Sequence, residues 1–189
     1  MTAFEMVALA VSFILGLGIT SLLSSCVVVF RGRRQYRIHW VPAVWVVCIF
    51  ILQIQFWWSI FGLSPWVEAW TLTRFGLLLI CALTLFLAGA LVLPGRRSEY
   101  GQDLLRYFQG DGRWGLAALG AYHVEAFVLN GVLFGSGPGH LQSVPIWVGL
   151  GLVAGTLATK RRGAQFVLTV LFLINVIVAL AVMSTPAYQ

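Results

Sequence analysis

His123, Glu125 and Asn130 fall within eight residues of one another in the run GAYHVEAFVLNG, 120–131, whose other members are apolar or small. An imidazole, a carboxyl and a carboxamide set in such a run have two uses. They can relay a proton or hold a small cation, or they can hydrogen-bond across helices and fix register. Four more strongly polar residues are buried in apolar sequence: Gln53, Gln55, Arg74 and Asn175, with Glu5 close to the start of the chain. Arg74 and Glu125 are the natural pair, because guanidinium grips carboxylate bidentately and each offsets the other's desolvation. At 100° per residue His123 and Asn130 lie nearly together on one helix face. Glu125 lies well over 90° away with Tyr122 and Leu129. One face can then line a cavity while the other meets another helix or subunit. Gln53 aligns in the same way with Trp57, and Gln55 with Trp58. These two indoles can flank an outward mouth, with Glu5 nearby, or stand as belt residues at the interface.

The elements that must position these groups are plain. Six apolar runs, about 4–30, 41–63, 69–93, 114–135, 142–159 and 164–184, approach or exceed the roughly 20 residues of helix that cross about 30 Å of hydrocarbon. Of the 189 residues, 60% are hydrophobic and 10% charged, and the mean hydropathy is +0.92. A soluble domain carries about 25% charge, so the solvent for this chain is lipid. Helix is the expected form, because it satisfies its own backbone there. The first run has no basic residues before it and is too long for a cleaved leader, so it is expected to be retained as a span. The expected fold is all-α: a single polytopic domain of six transmembrane helices.

Threading follows from charge. Arg31, Arg33, Arg34 and Arg37 lie in the first connection, Arg96, Arg97, Arg106 and Arg113 in the third, and Lys160, Arg161 and Arg162 in the fifth. Eleven of the twelve basic residues therefore occupy odd-numbered connections. The positive-inside rule makes those cytoplasmic and turns both termini outward, as in a bacterial-type inner or plasma membrane. Trp40, Trp66, Trp70, Tyr100 and Trp114 sit where an aromatic belt would. In the third connection Ser98 can cap a short interfacial helix with Tyr100, Leu104, Tyr107 and Phe108 on one face, lying on the inner leaflet. Under this threading the polar residues share a zone between midplane and outer surface. Arg74 and Glu125 then differ in depth by about 5 Å at 1.5 Å per residue.

Packing signals are also present. Ala8, Ser12, Gly16, Thr20 and Ser24 form an i+4 ladder of small residues, and Gly151, Gly155 and Thr159 another, either of which can join helices or subunits. A homo-oligomer is expected, since one small bundle encloses little space. VP followed by Trp opens both the second and the fifth runs, a faint sign of inverted halves.

Other chemistries lack their motifs. There is no P-loop, GxGxxG, HExxH or GxSxG, and no TVGYG filter. No second histidine at depth opposes His123 for haem, and the last run has no lysine for a Schiff base. Cys26, Cys48 and Cys81 stand singly within apolar runs, so no metal or other cofactor is expected. The arginines are confined to short connections, which excludes a nucleic-acid surface. No nucleophile–base pair appears at usable spacing, so an enzyme is not expected. The leading expectation is a small channel or transporter for a proton, cation or small solute, with Glu125 central, Arg74 as its counter-ion, and Gln53, Gln55, His123, Asn130 and Asn175 around it. The alternative is a membrane subunit, sensor or assembly protein that transports nothing and binds a partner through its small-residue faces.

The charge pattern generates a direct test. A reporter at either terminus is expected on the extracytoplasmic side, and one inserted between residues 96 and 113 on the cytoplasmic side, as read by protease protection in sealed vesicles.

Overall fold

Each of the six apolar runs forms one helix, and a seventh, short helix precedes the fourth run. The computed structural model describes residues 2–34, 37–63, 70–95, 103–134 and 143–183. In order the helices are α1 (Ala3–Arg31), α2 (Trp40–Phe61), α3 (Leu72–Leu91), α4 (Leu104–Gln109), α5 (Arg113–Phe134), α6 (Val144–Ala158) and α7 (Arg162–Met183). No strand occurs among the described residues. Five of the helices, α1, α2, α3, α5 and α7, are long and apolar enough to cross a membrane. This is an all-helical, multi-pass membrane protein. The sixth apolar helix, α6, has 15 residues, about 22 Å at 1.5 Å per residue. It is shorter than the roughly 30 Å hydrocarbon layer.

The helix ends are set by local chemistry. Thr2 and Glu5 form a capping box at the start of α1, with Thr2 N–H donating to Glu5 Oε2 at 2.8 Å and Glu5 N–H to Thr2 Oγ1 at 3.2 Å. The TxxE spacing is the sequence signature of that cap. Glu5 is therefore a capping residue at the helix end, a role its expected place near a mouth did not include. His39 caps α2 and Thr71 caps α3 through their side chains. In α6 the proline sits in the first turn, where a missing N–H costs nothing.

The six longer helices form a ring in which consecutive members pack in the order α1, α3, α5, α6, α7, α2, and α2 also touches α3 across it. The trio α1–α2–α3 is closed, whereas α5, α6 and α7 form a row with α6 between the other two. The two halves therefore do not share one packing, and the faint sign of inverted halves in the sequence has no counterpart in the helix contacts.

The ring is filled by aromatic side chains. Phe108, Trp45, Phe172, His123, Tyr122 and Phe56 make a continuous column. Its centroid separations run 6.2, 4.4, 5.9, 5.6 and 6.0 Å in that order. All six rings are buried. On α1 the buried stripe is Val7, Val11, Leu15, Gly18, Leu22, Ser25 and Val29, spaced three and four apart as one helix face requires. The small-residue ladder lies on another face. Gly16, Thr20 and Ser24 are exposed, and a Cβ at Gly16 would meet nothing within 4 Å.

The helix in the third connection differs from expectation in its start and its surroundings. Asp103 caps it, accepting from Leu105 N–H at 3.0 Å and Arg106 N–H at 3.4 Å; Ser98 and Tyr100 lie outside the described residues. Leu104, Leu105 and Phe108 are buried against the end of the bundle, so most of the apolar face meets protein instead of the leaflet. Trp45 at the base of α2 offers Phe108 a ring, and α4 closes over it.

Backbone comes close to backbone at Gly115 of α5. A Cβ there would lie 2.8 Å from Val92 N and 3.0 Å from Ala88 O, both backbone atoms of the α3 end. Gly115→Ala is expected to part α3 from α5 and lower stability by about 1–3 kcal/mol, the usual cost of overpacking. Gly16→Ala, into open space, should be neutral. Thermal unfolding in detergent, followed by size-exclusion chromatography, reads the contrast.

Candidate functional site

The residues picked out by sequence occupy three separate places. The first is the middle of α3, on its inner side. Gln53 of α2 is fully buried, and its Nε2 donates to Leu85 O at 3.2 Å. The side chain reaches that carbonyl because two glycines make room. A Cβ on Gly18 would fall 2.9 Å from Gln53 Nε2, and one on Gly89 3.0 Å from it. Gln53 Oε1 is buried without a hydrogen-bond partner. Such a group is left unsatisfied at a cost of about 1–3 kcal/mol. Gln55 is half-buried two residues further on, on a diverging face of α2.

The second place is the other side of the same turn of α3. Thr84 Oγ1 lies 2.6 Å from Glu125 Oε2 and 3.0 Å from both Ile80 O and Cys81 O. Thr84 and Glu125 are half-buried. Cys81 and Tyr122 are the titratable neighbours of the carboxyl. Glu125 therefore meets a hydroxyl and not the guanidinium expected for it. Arg74 stands in the first turn of α3, its N–H bonded to the Thr71 cap at 3.3 Å. It precedes Thr84 by ten residues, about 15 Å of helix rise. The expected pairing counted depth from Cα to Cα. A helical side chain leans toward its own N-terminus, and α5 runs antiparallel to α3, so Glu125 leans away from Arg74. The polar level accordingly lies at the middle of α3, past its midpoint from Leu72, and not toward its first turns.

The third place is among α5, α6 and α7. His123 is 4% exposed, and its Nδ1 lies 2.8 Å from Leu119 O. A contact with a carbonyl oxygen requires the proton on Nδ1, which leaves Nε2 as the acceptor. That Nε2 faces Gly149: a Cβ on Gly149 would clash with it and lie 3.2 Å from Asn175 Nδ2. Asn175 donates to Pro145 O at 3.0 Å. The imidazole is thus a link in the aromatic column with its edge set into a glycine notch. Asn130 is half-buried toward the C-terminal end of α5. Trp57 Nε1 donates to Ser12 Oγ at 2.9 Å, pinning α2 to the ladder face of α1, and the ring meets Phe61 edge-on at 5.1 Å. Trp58 is exposed and lies tilted against Phe61.

Sequence reasoning missed a fourth polar assembly, where α6 ends. Trp45 Nε1 donates to Thr169 Oγ1 at 3.0 Å, and Thr169 Oγ1 to Gln165 O at 2.6 Å. Gln165 Nε2 donates to Thr159 O at 3.1 Å, while its Oε1 accepts from Gln109 Nε2 at 2.7 Å. Arg113 donates to Leu157 O. These groups satisfy the carbonyls a helix leaves free at its C-terminus, which lipid would not. Gln165 and Thr169 were legible as an i, i+4 polar pair at the start of an apolar run. Thr84 was hidden, because a single threonine scarcely interrupts LLLICALTLFLAGALVL. No group of three or more potential metal ligands occurs among the described residues. Comparison with protein-family models, curated proteins and solved structures finds no match for this chain.

The Gly149 notch can be tested by a double-mutant cycle. Gly149→Ala is expected to destabilise the protein by about 1–3 kcal/mol through the displaced imidazole. In a His123→Ala background most of that penalty should vanish, as coupling between touching residues requires. Gly151→Ala, with nothing within 4 Å of its Cβ, should cost nothing in either background.

Proposed function

We propose that this chain is a six-span ion-handling membrane protein with both termini outside, in which Glu125 takes up and releases a proton, or holds a small cation, on behalf of a transport process. The observation that carries this reading is the carboxyl of Glu125 at mid-helix depth with the Thr84 hydroxyl at 2.6 Å. A charged residue at the centre of a membrane helix costs about 2.5–3.5 kcal/mol on insertion scales. Register alone is held here at less cost, by the glycine contacts of Gly115 and Gly18 and by the Trp45–Thr169 bond. A retained carboxyl therefore speaks for a chemical use. The aromatic column fills the ring's interior, so the half-buried Glu125 is the acidic group that an ion could reach from outside the bundle. Gln53, His123 and Asn175 act in this reading as helix-joining groups, and Arg74, Gln55 and Asn130 stand toward the outer end of the path. The six-span threading draws support from α6, which ends at the basic Lys160–Arg162 step.

A second reading is a membrane subunit or assembly protein without transport, with a second copy or another chain as partner. It is favoured by the exposed face of Gly16, Thr20 and Ser24 on α1, which resembles helix-joining surfaces in lipid.

Purified protein in sealed liposomes, with a trapped pH indicator, separates the two. Proton flux is expected in the wild type, and Glu125→Gln should lower it by roughly 10²-fold, the low end of what a positioned proton donor contributes. Unchanged flux in folded Glu125→Gln would sink the assignment. A wild type that passes neither protons nor alkali cations, but co-purifies with a stoichiometric partner, would establish the second reading.

A further inference from the structure

Glu125 and Thr84 lie at the margin of the outer wall. On α5 the residues three, four and seven positions from Glu125 on its exposed side are Val128, Ala121 and Val132, and all are exposed. On α3 the corresponding neighbours of Thr84 are Leu87, Ile80 and Leu91, again exposed. In a helix those spacings define one face, and α3 and α5 pack side by side. The carboxyl and the hydroxyl therefore meet in a seam fenced by aliphatic side chains that face the acyl chains. Toward the bundle, Leu85 and Cys81, about 100° and 60° round the helix from Thr84, are fully buried.

Hydrogen counting adds a second, independent observation. Thr84 has one hydroxyl hydrogen and three oxygens in reach: Ile80 O, Cys81 O and Glu125 Oε2. When that hydrogen rests on a carbonyl of its own helix, as threonine in a helix commonly places it, Oγ1 is left as an acceptor. A protonated carboxyl supplies the missing donor and completes the chain Glu125 O–H to Thr84 Oγ1 to backbone carbonyl. An ionised carboxyl would instead take the single hydroxyl hydrogen and draw it off the backbone carbonyls.

We propose that Glu125 is reached laterally, through the lipid-facing seam between α3 and α5, and that it stands there as a neutral acid donating to Thr84. The inference rests on the reading of Glu125 as a proton-binding group. Its own content is the route and the form of the group.

A hydrophobic carbodiimide tests both. The O–H of a protonated carboxyl adds across one C=N bond: oxygen bonds to the central carbon and the proton moves to nitrogen. The acyl group then shifts to nitrogen, giving a stable N-acylurea that contains every atom of both reactants, with nothing oxidised or reduced. Wild-type protein in phosphatidylcholine–phosphatidylglycerol vesicles would be treated with dicyclohexylcarbodiimide, or with a water-soluble carbodiimide plus taurine, then digested and mapped by mass spectrometry. The expected result is Glu125 labelled by the hydrophobic reagent and unlabelled by the soluble one, with exposed Asp111 showing the reverse. Reaction of Glu125 with the soluble reagent overturns lateral access. Reaction with neither overturns it as well, since the seam is then covered. Labelling in protein whose flux ignores Glu125→Gln preserves the seam and removes the transport reading. Flux that depends on Glu125 without hydrophobic labelling does the opposite.

Discussion

One short stretch of α3 holds this molecule together, because glycine lets other backbones come up against it. Gly18 of α1 lies against Phe86, where a Cβ would sit 3.3 Å from its Cα, and Gly115 of α5 lies against Ala88 and Val92. In lipid there is no hydrophobic gain from joining helices, so such contacts must supply the attraction through packing and hydrogen bonds. Both polar pairs at depth depend on that approach. Gln53 reaches Leu85 O only because Gly18 and Gly89 leave space, and Thr84 reaches Glu125 only because α5 is drawn close along α3. Tyr107 of α4 extends the pattern toward the loop, its hydroxyl donating to Leu91 O at 3.3 Å.

Adjacent residues on this stretch face opposite worlds. Leu85 looks into the trio of α1, α2 and α3, where Gln53 is sealed. Thr84 looks outward, where Glu125 is half-buried. A rotation of about 100° between neighbours thus separates a group that fixes structure from one that remains reachable. The aromatic column reinforces the distinction. Its six rings, Phe108, Trp45, Phe172, His123, Tyr122 and Phe56, are all buried and follow one another at centroid separations of 4.4 to 6.2 Å.

Much of the architecture was legible because lipid imposes a simple rule on sequence. Each apolar run became a helix, with ends within three residues of those expected, since a span must close its own backbone hydrogen bonds. The capping box at Thr2 and Glu5 was written in TxxE. What depended on side-chain direction was less legible. Depth counted along Cα positions placed Arg74 beside Glu125, but the lean of helical side chains sends the carboxyl to Thr84. The i+4 ladder on α1 looked like a packing seam, yet the buried face is the one of larger residues from Val7 to Val29. Small residues permit close approach without selecting which helix arrives. His123 was visible as costly, but its partner was not. The notch at Gly149 is an absence of side chain, and absence of side chain has many causes in a membrane helix.

The assembly at the end of α6 shows why polar groups in such a bundle cannot be assigned to function by cost alone. Gln165 is 3% exposed and Thr169 1%, deeper than Glu125, yet their bonds are structural: Thr169 accepts from Trp45 of α2, and Gln165 donates to Thr159 O at the end of α6. That helix stops short of a full span, and its terminal carbonyls need donors that lipid does not provide. Gln109 and Arg113 bring them from the third connection, and Trp45 ties the assembly to α2. Glu125 differs from these groups in kind. No free backbone end lies beside it, and its partner Thr84 already has carbonyls of its own helix within reach. A residue whose removal would leave no unsatisfied backbone behind it, set at the margin of the lipid-facing wall, is the one whose presence the fold does not explain.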